Sequence, residues 1–335
     1  MIHSPQKICC VAGTSGGHII PCLQFAYTHY KISKPTISFI STSGKLDEKI
    51  IQQFPEIYDH LALSLPAVPY KKWWKLPFFF ASFLKAIYTS FFYLKKNKPD
   101  RIVSTGGIIA VPVICAARLL HIPVDLFELN VIPGKATSFS SNLTTNVFVC
   151  FEKTKHYFKK PCTYVSYPIR FTQKDLIFNK NDIFSELTFD PAKKTLLILG
   201  GSQGSEFLNV FLQTIPLSLL KTFNIIHQTG NSYLDVCTHF YTQNGISHSV
   251  FDYKNNLAPF YHSADLVICR AGAGTLFETL FFKKQCLVIP LETTITDHQL
   301  DNAQDFAQRY PEFFTVFRQK DLITNPDLFI TALQK

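Results

Sequence analysis

The stretch "KICCVAGTSGGHIIP", residues 7–21, sets an apolar run against three glycines, two small hydroxyl residues and a histidine. The run has strand length, the glycines form a turn, and "IIPCLQFAYTHY" after them has a helical pattern. About 190 residues later the plan returns, as "KTLLILGG" running into "SQGSEFLNVFLQTI" from residue 194. Short apolar runs then alternate with helical stretches in both halves. The first half has "TISFIST", "RIVSTGG", "PVDLFELN" and "NVFVCF". The second has "FNIIHQTG", "HSVFDY", "DLVICRAG", "QCLVIPLE" and "FFTVFRQ". Continuous apolar strands alternating with helices predict parallel sheets covered on both faces. The expected fold class is α/β, with two doubly wound, Rossmann-like domains over residues 1–165 and 166–335. The pattern restarts after the proline of "SYPIR", residues 166–170.

Open parallel sheets bind ligands beyond the carboxyl ends of their strands. There this chain has "GTSGGH", "STSGK", "STGG" and "ELN" in one half, and "GGSQGS", "TGNS", "CRAGAGT" and "LETTITDHQ" in the other. These loops are expected to face one cleft between the domains. Glycines let backbone N–H groups approach an anion, and a helix start carries partial positive charge. The same glycines also serve tight packing. No GxGxxG occurs, and "ISTSGK" and "HQTGNS" place no carboxylate for an adenosine ribose, which argues against a nicotinamide enzyme.

The chain has 335 residues, 47% hydrophobic, and a formal net charge of +9. This fits a folded protein with an acidic partner such as nucleotide phosphates or an anionic membrane. The charge does not gather beside aromatics in a nucleic-acid-binding motif, so no nucleic-acid partner is expected. Nine cysteines, with no CxxC, fit reduced and mostly buried thiols, and no metal site is expected. "MIHSPQKICC" lacks the apolar core of a signal peptide. "LPFFFASFLKAIYTSFFYL", residues 76–94, has the length of a membrane span, but Lys85 stands at its middle. A lysine there costs about 2.5–3.5 kcal/mol on insertion scales. Phe80, Phe83, Leu84, Ile87, Phe91 and Leu94 recur at helical spacing and predict an amphipathic helix with this stripe turned inward. The "KKWWK" end (residues 71–75) and some phenylalanines are expected outward, against anionic lipid.

Four stretches in order, "GTSGGHIIP", "FELNVIPGK", "GGSQGSEFLN", and "CRAGAGTLFE" followed by "DHQLDNAQ", resemble the MurG family over nearly the whole chain. That resemblance implies two facing Rossmann-like domains of the GT-B type. It also implies an inverting transfer, without metal or cofactor, of N-acetylglucosamine from UDP-N-acetylglucosamine to lipid-linked N-acetylmuramyl-pentapeptide. The implied place is the cytoplasmic face of a bacterial inner membrane, held peripherally. The loop of Ser15, Gly16 and Gly17 would meet donor and acceptor diphosphate. Asn130 and Arg170 hold the positions of the family's asparagine and domain-junction arginine. Ser202 and Gln203 fall near the donor diphosphate and uridine, and Lys254 where backbone is offered to uracil. Residues Ala273, Gly274, Thr275, Leu276, Phe277 and Glu278 match the helix start that receives the nucleotide. Glu278 is implied to bind the ribose hydroxyls, and Gln299 the sugar hydroxyls. Asp297 is an expected N-cap before Gln299.

Three features depart from the family. Phe127 and Leu129 stand where it has histidine and glutamine, Ile108 where an aromatic is common, and "DLFITALQK" closes the chain where relatives usually continue. An inverting transfer needs a base for the acceptor hydroxyl, and His18 titrates in the suitable range, with Glu128 as the next candidate. The residues also fit other readings: a UDP-sugar epimerase, a transferase with another lipid acceptor, or a UDP-sugar-binding relative without turnover.

Overall fold

Apolar runs long enough to be buried on both faces dominate the chain, and each forms a strand of a parallel sheet. The computed structural model describes residues 7–13, 16–30, 36–69, 72–177, 180–292 and 298–334. Two compact units divide it, Met1–Arg170 and Phe171–Lys335. The first unit holds β1 (Lys7–Val11), β2 (Thr36–Thr42), β3 (Ile57–Leu63), β4 (Arg101–Ser104), β5 (Val124–Glu128), β6 (Asn146–Val149) and β7 (Thr163–Tyr164). They form one sheet in the order β3-β2-β1-β4-β5-β6-β7 with every pairing parallel. The second unit holds β8 (Lys194–Leu199), β9 (Phe223–Gln228), β10 (His248–Phe251), β11 (Leu266–Cys269), β12 (Gln285–Val288) and β13 (Phe314–Val316). Their order is β10-β9-β8-β11-β12-β13, again all parallel.

Each sheet therefore reverses its winding once. In the first, the chain runs outward through β1, β2 and β3, then crosses back to place β4 on the other side of β1. In the second, β11 lies across β8 from β9 and β10. The gaps beyond the carboxyl ends of β1/β4 and β8/β11 are topological switch points, where such sheets take ligands.

The central strands follow the sequence expectation closely: β5 and β9 are buried at every residue. Two edge strands were not foreseen. β3, "IYDHLAL", mixes polar and apolar residues and is mostly part-exposed, and β7 has only two residues. All nine cysteines are free, and seven are buried.

Four helices matter below: α1 (Gly16–Thr28), α2 (Lys45–Ile51), α3 (Leu76–Asn97) and α4 (Ala110–Leu119). α3 corrects the predicted stripe. Its buried residues are Ala86, Ser90, Leu94 and Asn97. Ile87, Phe91 and Tyr93 pack beside them against a core that includes Val113, Ile114 and Ala117 of α4. Phe80 and Leu84 are instead 57% and 64% exposed. Among the described residues, the buried and packed positions that anchor α3 lie in its C-terminal half. There Asn97 Nδ2 donates to Asp59 Oδ2 (2.9 Å), Tyr58 donates to Asn97 Oδ1 (2.9 Å), and the Tyr93 hydroxyl donates to the Asp59 carbonyl (3.0 Å). Trp73–Asn97 has the length and apolar composition of a membrane span by those measures alone.

Candidate functional site

In the first unit the switch point is built by the loops after β1 and β4. His18 is the third residue of α1. Its Nδ1 lies 3.1 Å from the Thr105 carbonyl oxygen, and the Thr105 hydroxyl donates to the His18 carbonyl at 3.1 Å. A carbonyl only accepts, so Nδ1 carries the proton and Nε2 keeps its lone pair. Burial draws the His18 pKa below its ordinary value, while the Thr105 contact and the charge of Asp47 oppose the change. The ring is thus neutral at physiological pH and fit to accept a proton through Nε2. Gly16 is buried and Gly17 exposed; Ser15 lies outside the described residues, as does Asp297.

Asp47, in the first turn of α2, is a residue that the strand-end search missed. It is 2% exposed and accepts a hydrogen bond from the Thr42 hydroxyl. A Cβ at Gly13 would stand 2.7 Å from Thr42 Cγ2 and 3.3 Å from Asp47 Oδ2. Glycine therefore lets the loop after β1 settle against this carboxylate. The signal was present in "SGKLDE", but five residues past the end of β2, on the helix rather than in the loop.

Glu128 ends β5 and is buried. Its Oε1 accepts from the Asn130 backbone N–H (2.9 Å) and from Asn130 Nδ2 (3.2 Å). Burial pushes its pKa up to about 7, against the lowering effect of Asn130 and the amides of Leu129 and Gly134. The pair Glu128–Asn130 thus shapes its own loop. Phe127 and Leu129 are both core residues: Phe127 stacks on Phe25 and Phe148 with ring centroids 3.7 and 4.7 Å away. Arg170 is the last residue of the first unit and half-buried.

In the second unit, loop 200–205 follows β8. Gly204, with φ +78°, touches the Thr229 carbonyl so closely that a Cβ would lie 2.0 Å from its oxygen. Packing against the loop after β9 explains that glycine. Gly201, with φ +88°, faces open space instead. Ser202 is half-buried and Gln203 exposed. Ser205 caps the next helix, Glu206–Phe211, by accepting from the Leu208 N–H. Arg270, just past β11, reaches across the switch point to the same hydroxyl at 2.7 Å. Sequence reasoning passed over Arg270 because an arginine beside "AGAGT" has no distinguishing pattern.

The helix Ala273–Phe281 starts from Gly272. Ala273 and Leu276 are buried; Gly274, Thr275, Phe277 and Glu278 are half-buried. Phe277 meets Phe306 edge-on at 4.9 Å. Glu278 Oε2 accepts from the Tyr261 hydroxyl at 3.4 Å, so it is partly held in place. Gln299 Oε1 accepts from the Leu291 N–H at 2.9 Å, which ties the helix His298–Arg309 to the chain after β12. Lys254 Nζ lies 4.7 Å from the Phe260 ring centroid, so its side chain is turned onto an aromatic face.

Residues 8–149 match the glycosyltransferase family 28 N-terminal domain, and residues 195–325 the family 28 C-terminal domain. A UDP-N-acetylglucosamine–N-acetylmuramyl-(pentapeptide) pyrophosphoryl-undecaprenol N-acetylglucosamine transferase of Thermosipho africanus is 31% identical over 90% of this chain and 84% of its own. One of Clostridium botulinum is 33% identical with the same coverage. The crystal structure of Acinetobacter baumannii MurG superimposes with a TM-score of 0.70 at 25% identity, covering 98% of this chain and 90% of that one. A UDP-GlcNAc 2-epimerase of Neisseria meningitidis, at 15% identity and a TM-score of 0.55 over 92% of each chain, shares the fold.

Proposed function

The chain belongs to glycosyltransferase family 28, and from that membership we propose that it is a UDP-N-acetylglucosamine-dependent hexosyltransferase of peptidoglycan synthesis. It moves N-acetylglucosamine to the C4 hydroxyl of undecaprenyl-linked N-acetylmuramyl-pentapeptide. The supporting observation is the His18–Thr105 pair: a neutral imidazole with its proton held on Nδ1 and Nε2 left basic, at the switch point of the first domain.

In this reading the acceptor hydroxyl gives its proton to His18 Nε2 as its oxygen attacks C1 of the donor sugar. The C1–oxygen bond to the diphosphate breaks with inversion, and UDP leaves. A base that is neutral at physiological pH suits this step. The second domain takes the donor. Glu278 accepts from the ribose hydroxyls, Gln299 addresses the sugar through the amide that Leu291 does not occupy, and Ser202 and Gln203 lie along the diphosphate. Asn130, held by Glu128, lies on the acceptor side with Gly16, Gly17 and Arg170. The backbone at Lys254 meets uracil.

The acceptor is lipid-linked, and the outer face of α3 supports peripheral binding to an anionic membrane. Trp73, Trp74 and Phe78 are exposed, and Phe80, Leu84, Tyr88 and Phe92 form a ridge at four-residue spacing, also exposed. Indole rings suit the headgroup region, and Lys72, Lys75 and Lys85 add attraction to anionic lipid. The epimerase reading rests on shared fold alone. One assay tests the proposal: purified protein, labelled UDP-N-acetylglucosamine and the lipid-linked muramyl-pentapeptide or a short-chain analogue, with the product identified by mass. A disaccharide product supports it; free or isomerised sugar with no disaccharide rejects it.

A further inference from the structure

Arg270 is 7% exposed, yet among the described residues it meets no carboxylate through a hydrogen bond. Its Nε donates to Ser205 Oγ at 2.7 Å, and its Nη1 to the carbonyls of Ile289 (3.1 Å) and Pro290 (3.2 Å). The guanidinium carbon stands 5.3 Å from the Phe207 ring centroid. One side chain therefore gathers the carboxyl ends of β8, β11 and β12. Glu292, the acidic neighbour, is engaged elsewhere, with Arg318 Nη2 at 2.6 Å.

A guanidinium has five N–H donors in a rigid fork. Three of these are accounted for by neutral acceptors. The two on Nη2 have no partner among the described residues. A buried cation bound only by neutral oxygens keeps most of its charge uncompensated, which is costly unless an anion arrives. Burial draws its pKa down to about 10, with Cys269 and Glu292 acting the other way, so it stays charged at neutral pH. The backbone on both sides of this switch point has room: positions Gly201 and Gly272 have no atom within 4 Å of a built Cβ.

We propose that Arg270 binds the anionic diphosphate of the nucleotide through its Nη2 edge, while Nε and Nη1 hold the three strand ends around that anion. The inference rests on the donor reading above and adds a residue to it. Bidentate geometry matters here, so lysine is no substitute although it keeps the charge.

The test is calorimetric binding of UDP and of uridine to wild type and Arg270→Lys, with folding checked by thermal melting. The expected result is a loss of UDP affinity of about 10- to 100-fold, the range for hydrogen bonds to a charged group, with uridine unchanged. Equal loss of both ligands, or no loss of UDP affinity, overturns the proposal and leaves Arg270 a clamp for the loops. If Arg270→Lys does not fold, Ser205→Ala decides: it removes the acceptor of Nε, together with the cap on the Leu208 N–H, and leaves the guanidinium itself in place. A lowered UDP-to-uridine affinity ratio then supports the proposal, and an unchanged ratio overturns it. Should wild type bind neither UDP nor UDP-N-acetylglucosamine, the donor reading itself fails, independently of Arg270.

Discussion

His18 and Thr105 exchange two hydrogen bonds across the β1/β4 switch point, ring Nδ1 to carbonyl in one direction and hydroxyl to carbonyl in the other. The exchange fixes both the tautomer and the direction of the imidazole. His18→Ala is expected to lower turnover by about 10²–10⁴-fold, the span of general-base catalysis. Donor affinity should change little, because the base acts in the transition state. Single-turnover kinetics check this, and a fall of less than threefold would make His18 structural and move attention to Glu128.

Asp47 supplies the next expectation. Its negative charge raises the His18 pKa against the dominant lowering by burial. Asp47→Asn removes that charge and leaves a side chain able to accept from Thr42. The acid limb of the pH–rate profile is therefore expected to move to lower pH, with KM for the donor unaffected. A limb that stays in place, measured on a folded variant, separates Asp47 from the base.

How much of this was legible in the sequence differs by element. The central strands were readable because burial on both faces leaves continuous apolar runs, as in "KTLLIL". β3 was not, because an edge strand such as "IYDHLAL" has one open side and tolerates Asp59 and His60. The loops were readable from their glycines, but the residues that tie the loops were not. Arg270 acts across the sheet, and its partners Ser205 and Ile289 are neighbours only after the strands pair; Asp47 meets Thr42 locally, but it comes beside Gly13 only once β1 and β2 pair. The stripe of α3 failed for another reason. Periodicity identifies an apolar face and not what covers it, and among the described residues Phe80 and Leu84 in the N-terminal half of α3 stay exposed.

Glu278 is expected to contribute to donor binding through its carboxylate. Glu278→Ala should weaken UDP-N-acetylglucosamine by about 1.5–3 kcal/mol, the worth of hydrogen bonds to a charged group. Because Tyr261 also donates to Glu278, the variant should be compared with Tyr261→Phe, which leaves the carboxylate in place. Calorimetry giving equal affinity for Glu278→Ala and wild type rejects the assignment.

Stability is expected to fall in acid through His227, which is fully buried in β9 and hydrogen-bonded to the Tyr241 hydroxyl through Nδ1 at 3.0 Å. Burial draws its pKa down to about 3. The folded state thus binds no proton where the unfolded chain does. Its contribution is complete above the ordinary histidine pKa near 6.5 and is lost as pH falls toward 3, by about 1.4 kcal/mol per pH unit. His18, His29 and His60 are shifted in the same direction, all chiefly by burial. Urea unfolding at pH 7, 6 and 5 should show a slope with pH that His227→Leu reduces by one proton. Equal slopes would remove His227 from the account.

The outer face of α3 gives the last expectation. Each large apolar side chain moved from water into lipid contributes about 1.5–3 kcal/mol at most, and each lysine near an anionic surface about 1 kcal/mol. Trp73 and Trp74 are 75% and 59% exposed and pack edge to face with each other, so they are available without disturbing the core. The double change of Trp73 and Trp74 to Ala should release the protein from anionic vesicles while soluble-donor binding persists. Leu84→Ser and Tyr88→Ser should add to that loss, because both lie on the same ridge and neither is buried. Salt should weaken the wild-type interaction without abolishing it, since screening removes the lysine share and leaves the apolar one. Vesicle sedimentation decides the matter: equal pelleting of wild type and the double variant on anionic lipid would show that α3 does not carry the attachment.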